Sequence, residues 1–555
     1  MAARSIFGNS TLAKYIHSIR EAPKELIFNK NLLLTTTGYA LSGLCITWDQ
    51  GSSSVVPSLP GFANAFNIQS ATNPKDVTNF ISFVYITAGI GSMLSFFIND
   101  RIGRLWSLRL YFVIWMVGQL VATFANGNLG ALYTARFVSG LGLGPLTVTG
   151  PMSIVEIAPT EIRGLLTVWF SVVMLASLTV STLTVYACFL HVAPSHLQYQ
   201  IVFFAPVIFC VFVLIGSFFW MHESPRWLML AGRKEEAIEC LVSLRGLPAD
   251  HPRVASEIND ICLQIEDEHA KYGKDGGFKA VCKETFLVPA NLRRVQQACI
   301  SYALAQLSGA NSVTSYLVPI LSLIGVGGDR SHSLFLSSMY SMAKFFYTLI
   351  ASFFFIDALG RRGSLFTGIT IQLLSDVYIG VYIYFNKYGS VTPGASQGAI
   401  GAIFIHGFGY AVGLLVLPYV FGAELWPNSI RSFGSALSQA FHWLFYFGLN
   451  RATPLILESM DSWGAFIFFA AWCAVALLYV FLSVPETAGL AVEHIDALFE
   501  GPWWQAHSRA KKVRATIEAA TTIEAIESHG SERDSTSSDP VKNAAMNKDT
   551  AKDYC

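Results

Sequence analysis

Three charged phrases occur twice in this chain, in the same order and at nearly one spacing. E-I-A-P-T-E-I-R runs from Glu156 to Arg163 and E-L-W-P-N-S-I-R from Glu424 to Arg431, an offset of 424 − 156 = 268 residues. D-R-I-G-R at Asp100 to Arg104 returns as D-A-L-G-R-R at Asp357 to Arg362, with 357 − 100 = 257. E-S-P-R at Glu223 to Arg226 returns as V-P-E-T at Val484 to Thr487, with 486 − 223 = 263 between the glutamates. The second half of the chain therefore repeats the first. Each phrase sits beside an apolar stretch of about 20 residues, the length that crosses the hydrocarbon core of a bilayer. The expected fold is an all-α membrane protein in two pseudo-symmetric halves, with ionic clusters gathered at helix ends on one side, the layout of a two-halved transporter.

Composition agrees, because 53% hydrophobic against 13% charged residues leaves too few charges to solvate a water-soluble globule of 555 residues. Apolar windows predict twelve spans, six near 32–52, 80–99, 106–126, 131–153, 164–188 and 200–220, and six near 297–322, 333–356, 364–385, 398–422, 432–456 and 463–483. The expected organisation is a segment 1–30, a six-helix bundle 31–220, a charged helical linker 221–296, a second bundle 297–484, and a tail 485–555 that is disordered beyond about 505. Arg101, Arg104, Arg109, Arg163, Arg226, Arg361, Arg362 and Arg431 all fall on one side of this pattern. Positive residues near span ends stay in the cytoplasm, so both termini and the linker are expected there. No signal peptide is evident, and the first span is expected to remain as an anchor.

No nucleophile and base constellation, phosphate loop or C-x-x-C spacing is present, so neither an enzyme nor a metal or cofactor site is expected. Asp49 lies inside the first span, where a carboxylate is costly without a partner, and Arg136 in the fourth span is the natural candidate. Lys344 sits near the middle of the eighth span and also needs an anion or carbonyl. Glu156 and Arg163 are seven apart, so a helix continuing out of the membrane would set both on one face, beside Asp100 and Arg104. Such clusters suit a cytoplasmic gate, a latch of ion pairs that form in one state and break in the other; helix capping and topology are the plainer alternatives. The gate set is Asp100, Arg101, Arg104, Glu156, Arg163, Glu223, Arg226, Asp357, Arg361, Arg362, Glu424, Arg431 and Glu486.

From about Asn31 to Glu500 the chain resembles the sugar porter family of the major facilitator superfamily. The resemblance rests on W-D-Q-G at Trp48 to Gly51, D-R-I-G-R, R-F-V-S-G-L-G-L-G from Arg136, E-S-P-R-W-L, Q-L-S-G-A-N at Gln306 to Asn311, and P-E-T-A-G with E-H-I-D ending at Asp496. It looks most similar to fungal members, including the quinate permease-like branch. The resemblance implies an alternating-access carrier of a sugar or related polyhydroxylated molecule, with Asp49 as proton acceptor and Arg136 as its partner.

The pocket that the resemblance implies contains Gln306, Asn311 and Tyr316, but departs from the hexose pattern elsewhere. Ala305 stands where a glutamine is usual, Ser171 replaces another, Tyr419 takes a tryptophan position and Tyr446 an asparagine position. With amides lost, a substrate with fewer hydroxyls, a ring or a charge is favoured, and Lys344 is suited to a carboxylate. His406 and His442, the latter beside Trp443, are candidates for the cavity wall, a satisfied structural role being the commoner one for each. The expectation is thus a proton symporter of a sugar-like molecule, functional as a monomer in the plasma membrane, with no nucleic-acid partner. The alternatives are a carrier or exporter of a non-sugar metabolite such as a quinate-like acid, and a non-transporting nutrient sensor.

Overall fold

A computed structural model describes residues 28–68, 74–159, 162–272, 277–325, 330–352, 356–415 and 426–486, with short pieces between 498 and 515. Among these residues the regular elements are all helices. Eight of them are long and apolar enough to cross a membrane, from the second to sixth spans (Pro74–Ile102, Arg104–Thr123, Leu129–Ile157, Arg163–His191, His196–Trp220) and from the ninth, tenth and twelfth (Leu359–Tyr388, Gly394–Leu415, Trp463–Ser483). The other four are broken or polar, for reasons visible in their residues. The first is interrupted at Leu41, between Lys30–Ala40 and Ser42–Val55. The seventh is broken twice, into Pro289–Leu307, Ala310–Ser315 and Leu317–Leu323, with Gly309 at φ 80°. The eighth (Arg330–Ile350) and eleventh (Arg431–Ser459) are continuous but carry buried Lys344 in one and Gln439, His442 and Asn450 in the other. Irregular or polar backbone at membrane depth survives only where protein or a cavity surrounds it.

The pairing of helices obeys a twofold rule. Within the halves, the first span packs on the fifth, the second on the fourth, the third on the fourth and sixth; in the same way the seventh packs on the eleventh, the eighth on the tenth, the ninth on the tenth and twelfth. Between the halves, the second packs on the eleventh and the fifth on the eighth, two contacts that exchange when six is added to or taken from each number. Outward faces are apolar, as with Phe212 at 68% and Phe219 at 82% exposure, which suits lipid and not water.

Local sequence explains the helix joints. Gly103 (φ 92°) and Gly360 (φ 75°) turn the chain into the third and ninth spans. A Cβ at either would stand 2.5 or 2.6 Å from a carboxylate oxygen, of Glu223 and Glu486 respectively. Glu223 accepts from the backbone N–H of Arg104 (2.9 Å) and Leu105, and Glu486 from those of Arg361 (3.0 Å) and Arg362 (3.1 Å), so each acid caps a helix N-terminus. Glycine in the fourth span lets it approach its neighbours closely: a Cβ on Gly144 would lie 1.9 Å from the Ala88 carbonyl oxygen.

The expectation that a single helix carries Glu156 and Arg163 is corrected. The fourth span stops at Ile157, Ala158 is extended (φ −75°, ψ 131°), and a new helix starts at Arg163. Pro159 is the cause, since a residue preceding proline is driven from helical to extended backbone.

Four helices, Pro225–Leu230, Lys234–Arg245, Pro252–Tyr272 and Phe278–Leu287, lie between the halves in sequence and mark one end of the bundle. Residues 507–513 are helical with Ala510 buried, past the expected limit of order near 505; the rest of the predicted disordered tail lies outside the described residues.

Candidate functional site

The first span holds the centre of the site because two neighbouring residues on it point in different directions. Successive helical residues are rotated by about 100°, so Asp49 faces into its own half while Gln50 faces the other half.

Asp49 is 1% exposed and meets the guanidinium of Arg136 through both oxygens, at 2.8 Å and 2.9 Å. Gln119 of the third span donates to the same carboxylate at 3.2 Å and to Ser139 at 3.3 Å, and the Ser53 hydroxyl lies 3.4 Å from Asp49 Oδ1. Arg136 is held besides by the Phe80 carbonyl at 2.9 Å and lies 4.8 Å from the centre of the Phe80 ring. A buried fork-to-fork ion pair of this kind is fixed in geometry, and removal of either partner leaves the other charge uncompensated.

Gln50 donates to the Tyr446 hydroxyl at 2.7 Å and lies 3.5 Å from Asn311 Oδ1, both in the other half. Asn311 in turn donates to Gln306 at 2.9 Å and to the Tyr410 hydroxyl at 3.2 Å, and Ser315 is 3.3 Å from the Tyr446 hydroxyl. Tyr316 donates to the Asn450 carbonyl at 3.0 Å, tying the seventh span to the eleventh. His442 Nδ1 lies 3.4 Å from Gln306 Nε2. Trp443 donates to Thr147 at 3.2 Å and stacks on Tyr85 with ring centres 5.6 Å apart, so it also bridges the halves. Lys344 is 2% exposed, donates to Thr314 at 3.1 Å, and stands 5.8 Å and 5.6 Å from the ring centres of Tyr340 and Tyr410. Among the described residues no carboxylate lies within ion-pair distance of it. Ser171 is buried in the fifth span. Tyr419 and Glu424, and the side chain of Asp357, lie outside the described residues.

The structure thus brings Gln306, Asn311, Tyr446, Trp443, Lys344 and, through the seventh span, Tyr316 together between the halves. It places His406 elsewhere, against Asp376 of the ninth span at 3.4 Å. Gln50, Tyr85, Thr147 and Tyr410 belong to the same centre and were not anticipated. Gln50 had a signal, since it stands in the W-D-Q-G phrase next to the carboxylate.

At the linker end, Arg104 pairs with Glu156 through two contacts of 3.0 Å and with Asp100 at 3.0 Å, and is 3% exposed. Burial raises the Glu223 carboxyl above the usual carboxylate range, offset in part by its backbone donors and Arg104. Arg362 donates to the Phe481 carbonyl at 2.7 Å, Arg226 to Gln264 at 3.1 Å, and Arg101 is exposed. Arg163, Arg361 and Arg431 are also engaged with neighbouring groups. The Arg104 pairs join the third span to the second and the fourth, all in the first half. Aromatic rings span the halves here: Phe96 of the second span meets Phe433 of the eleventh at 5.3 Å, and Phe278 of the linker packs on both, at 6.1 Å and 6.0 Å.

A buried ion pair behind the first span, with polar side chains of both halves meeting beside it, fits a membrane carrier. The pattern of the "Sugar (and other) transporter" family matches residues 35–499, and the chain belongs to that family. The quinate permease of Emericella nidulans is 30% identical over 509 residues, covering 90% of this chain and 94% of its own. A probable quinate permease of Aspergillus niger is 30% identical over 503 residues, covering 88% and 92%. Among solved structures, the major facilitator proton:xylose symporter XylE bound to 6-bromo-6-deoxy-D-glucose matches with TM-score 0.72 at 19% identity, over 85% of this chain and 100% of that one. A partially occluded inward-open form of XylE from E. coli matches with TM-score 0.67 at 19% identity, over 83% and 99%. The likeness to these solved structures shows that this chain has the major facilitator fold, with twelve spans in two halves.

Proposed function

We propose that this transporter is a proton symporter whose substrate is a small cyclic polyol bearing a carboxylate, of the quinate type, taken up across the plasma membrane by a monomer with both termini in the cytoplasm. The observation that carries the substrate class is Lys344. An ammonium buried at membrane depth, with a hydroxyl and two tyrosine rings around it and no carboxylate beside it among the described residues, is suited to an anion brought by the substrate. Gln50, Asn311, Gln306 and the Tyr446 and Tyr410 hydroxyls supply the donors and acceptors that ring hydroxyls require. The names of the fungal relatives support the same class.

The coupling follows from adjacency. With Asp49 ionised, Arg136 is clamped and the first span is fixed against the third and fourth; a proton on Asp49 loosens that clamp, and the same helix carries Gln50 at the substrate. Binding and protonation thereby bias one rocking equilibrium of the two halves. A neutral sugar is the second reading, favoured by the family description, with Lys344 donating to a hydroxyl.

Purified protein in vesicles with an imposed pH gradient, offered hexoses, pentoses, polyols, disaccharides and quinate, tests both. Gradient-driven quinate accumulation is expected. Accumulation of a neutral sugar with no competition by quinate would overturn the acidic assignment, and binding without uptake of any of them would favour a sensor.

A further inference from the structure

The second half contains an ionisable pair that the transport mechanism above does not use. Asp376 on the ninth span and His406 on the tenth are both 0% exposed, with Oδ1 and Nε2 3.4 Å apart. Unlike Asp49, this carboxyl has no guanidinium beside it among the described residues. Its surroundings among the described residues are the imidazole and the Cys473 thiol of the twelfth span, 4.0 Å from Oδ2. A bare carboxylate with so few donors is too costly at this depth. The pair is therefore suited to share a proton between the acid and the ring.

His406 Nε2 is also 3.4 Å from the Ser308 carbonyl oxygen and 3.4 Å from Gln372 Nε2, while Gln372 donates to the Ser308 hydroxyl at 3.3 Å. Ser308 is the residue at the break of the seventh span, directly before Gly309 with its positive φ. Two residues before it is Gln306 and three after it is Asn311, both in the central polar cluster. A proton on Nε2 allows His406 to donate to Asp376 and the Ser308 carbonyl; without it, the same nitrogen accepts from Gln372. Protonation of the ring fixes Nε2 as a donor, whereas the neutral ring can carry its proton on Nδ1 and leave Nε2 to accept, so protonation shifts which bonds grip the hinge. The repeat offers a second pointer: Asp376 stands 376 − 119 = 257 residues beyond Gln119, the offset of the D-R-I-G-R phrase, and Gln119 is a ligand of the Asp49 carboxylate.

The groups facing the pair from packed helices are Cys473 on the twelfth span, Ser308 on the seventh, and on the eighth Tyr340, whose ring would meet a Cβ at Gly407 at 2.9 Å, with Lys344 beyond that ring. Of these Lys344 is the cation, and a tyrosine ring lies between.

We propose that Asp376 and His406 form a second proton-binding site, which sets the rigidity of the seventh-span hinge and so adjusts the substrate centre to pH independently of Asp49. The proposal rests on the reading of this chain as an alternating-access carrier, but its test does not need the substrate. Purified full-length protein is titrated by infrared difference spectroscopy, following the carbonyl stretch of protonated carboxyls. Asp49→Asn should keep a titrating carboxyl band that Asp49→Asn/Asp376→Asn lacks, and Asp49→Asn/His406→Gln should move its midpoint. Deuterium uptake of the segment around Ser308 should differ between Asp49→Asn and the Asp376→Asn double variant by an amount that changes with pH. Identical titrations in the single and double variants would overturn the site; identical uptake at every pH would overturn its control of the hinge. Should Asp376→Asn fail to assemble, Asp376→Glu keeps the acid, and a band unchanged in position and midpoint would count against the proposal. Loss of gradient-driven uptake in Asp49→Asn bears on the coupling mechanism alone and leaves these readouts intact.

Discussion

Replacing Asp49 by asparagine should separate energy coupling from substrate passage. Arg136 loses the charge of a carboxylate held at 2.8 and 2.9 Å, but keeps the Phe80 carbonyl at 2.9 Å and one neutral acceptor in the place of the lost oxygen. Removing one partner of a buried pair outright costs about 3–5 kcal/mol. The retained acceptor and carbonyl put this variant at the low end, about 3 kcal/mol, a loss that thermal unfolding in detergent will register without abolishing the fold. The transport consequence is larger in kind. One proton moving down a difference of one pH unit releases about 1.4 kcal/mol, enough for about tenfold accumulation of a co-transported solute. Asp49→Asn carries no titratable group at that place, so the accumulation ratio in vesicles should fall from about tenfold per pH unit to unity, while exchange of labelled for unlabelled substrate continues. Accumulation at the wild-type level in the variant would refute the reasoning.

Lys344→Met should weaken binding of a carboxylated substrate by roughly 10–150-fold, the value of about 1.5–3 kcal/mol for a charged hydrogen bond, and leave neutral polyols nearly unaffected; equal affinities for quinate in competition assays would contradict the assignment. Phe96→Ala removes a ring that joins the halves at the linker end. A loss of about 1–2 kcal/mol should raise cysteine-probe labelling of Ser171→Cys from that side about 5–30-fold, and unchanged labelling would count against an apolar seal. His222 joins Thr35 (3.2 Å) and Ser243 (3.0 Å) through its two ring nitrogens, and burial lowers its affinity for a proton below the usual 6.5. With the folded value depressed, the unfolded chain binds more protons in the window below 6.5, so stability rises with pH up to that value and is lost on acidification. His222→Gln should flatten this part of the profile, and a melting temperature that falls with acid as steeply as before would exclude His222 as the cause.

The repeat of charged phrases made the two halves legible, because ionic residues stand out in an apolar chain. The contact of Asp49 with Arg136 was legible for a related reason: two charges inside spans have few places to go. Gln50 was not, since no pattern in one sequence shows which way the neighbour of a carboxylate turns. The aromatic closure by Phe96, Phe433 and Phe278 was equally hidden, because an apolar residue that seals two halves and one that faces lipid look alike in sequence. The helix imagined through Glu156 and Arg163 failed on Pro159, a local rule outweighing a spacing. Asp376 lay unremarked in the ninth span because its partner, His406, is thirty residues away (406 − 376 = 30) on the next helix, and only packing brings the two together.

Asp49 and Gln50 share one peptide bond, yet one reaches the arginine behind the helix and the other the opposite bundle. No tilt or twist can displace one without carrying the other along. Under the proposed mechanism, exchange of this segment between relatives would carry fuel choice and cargo preference together as a single heritable module.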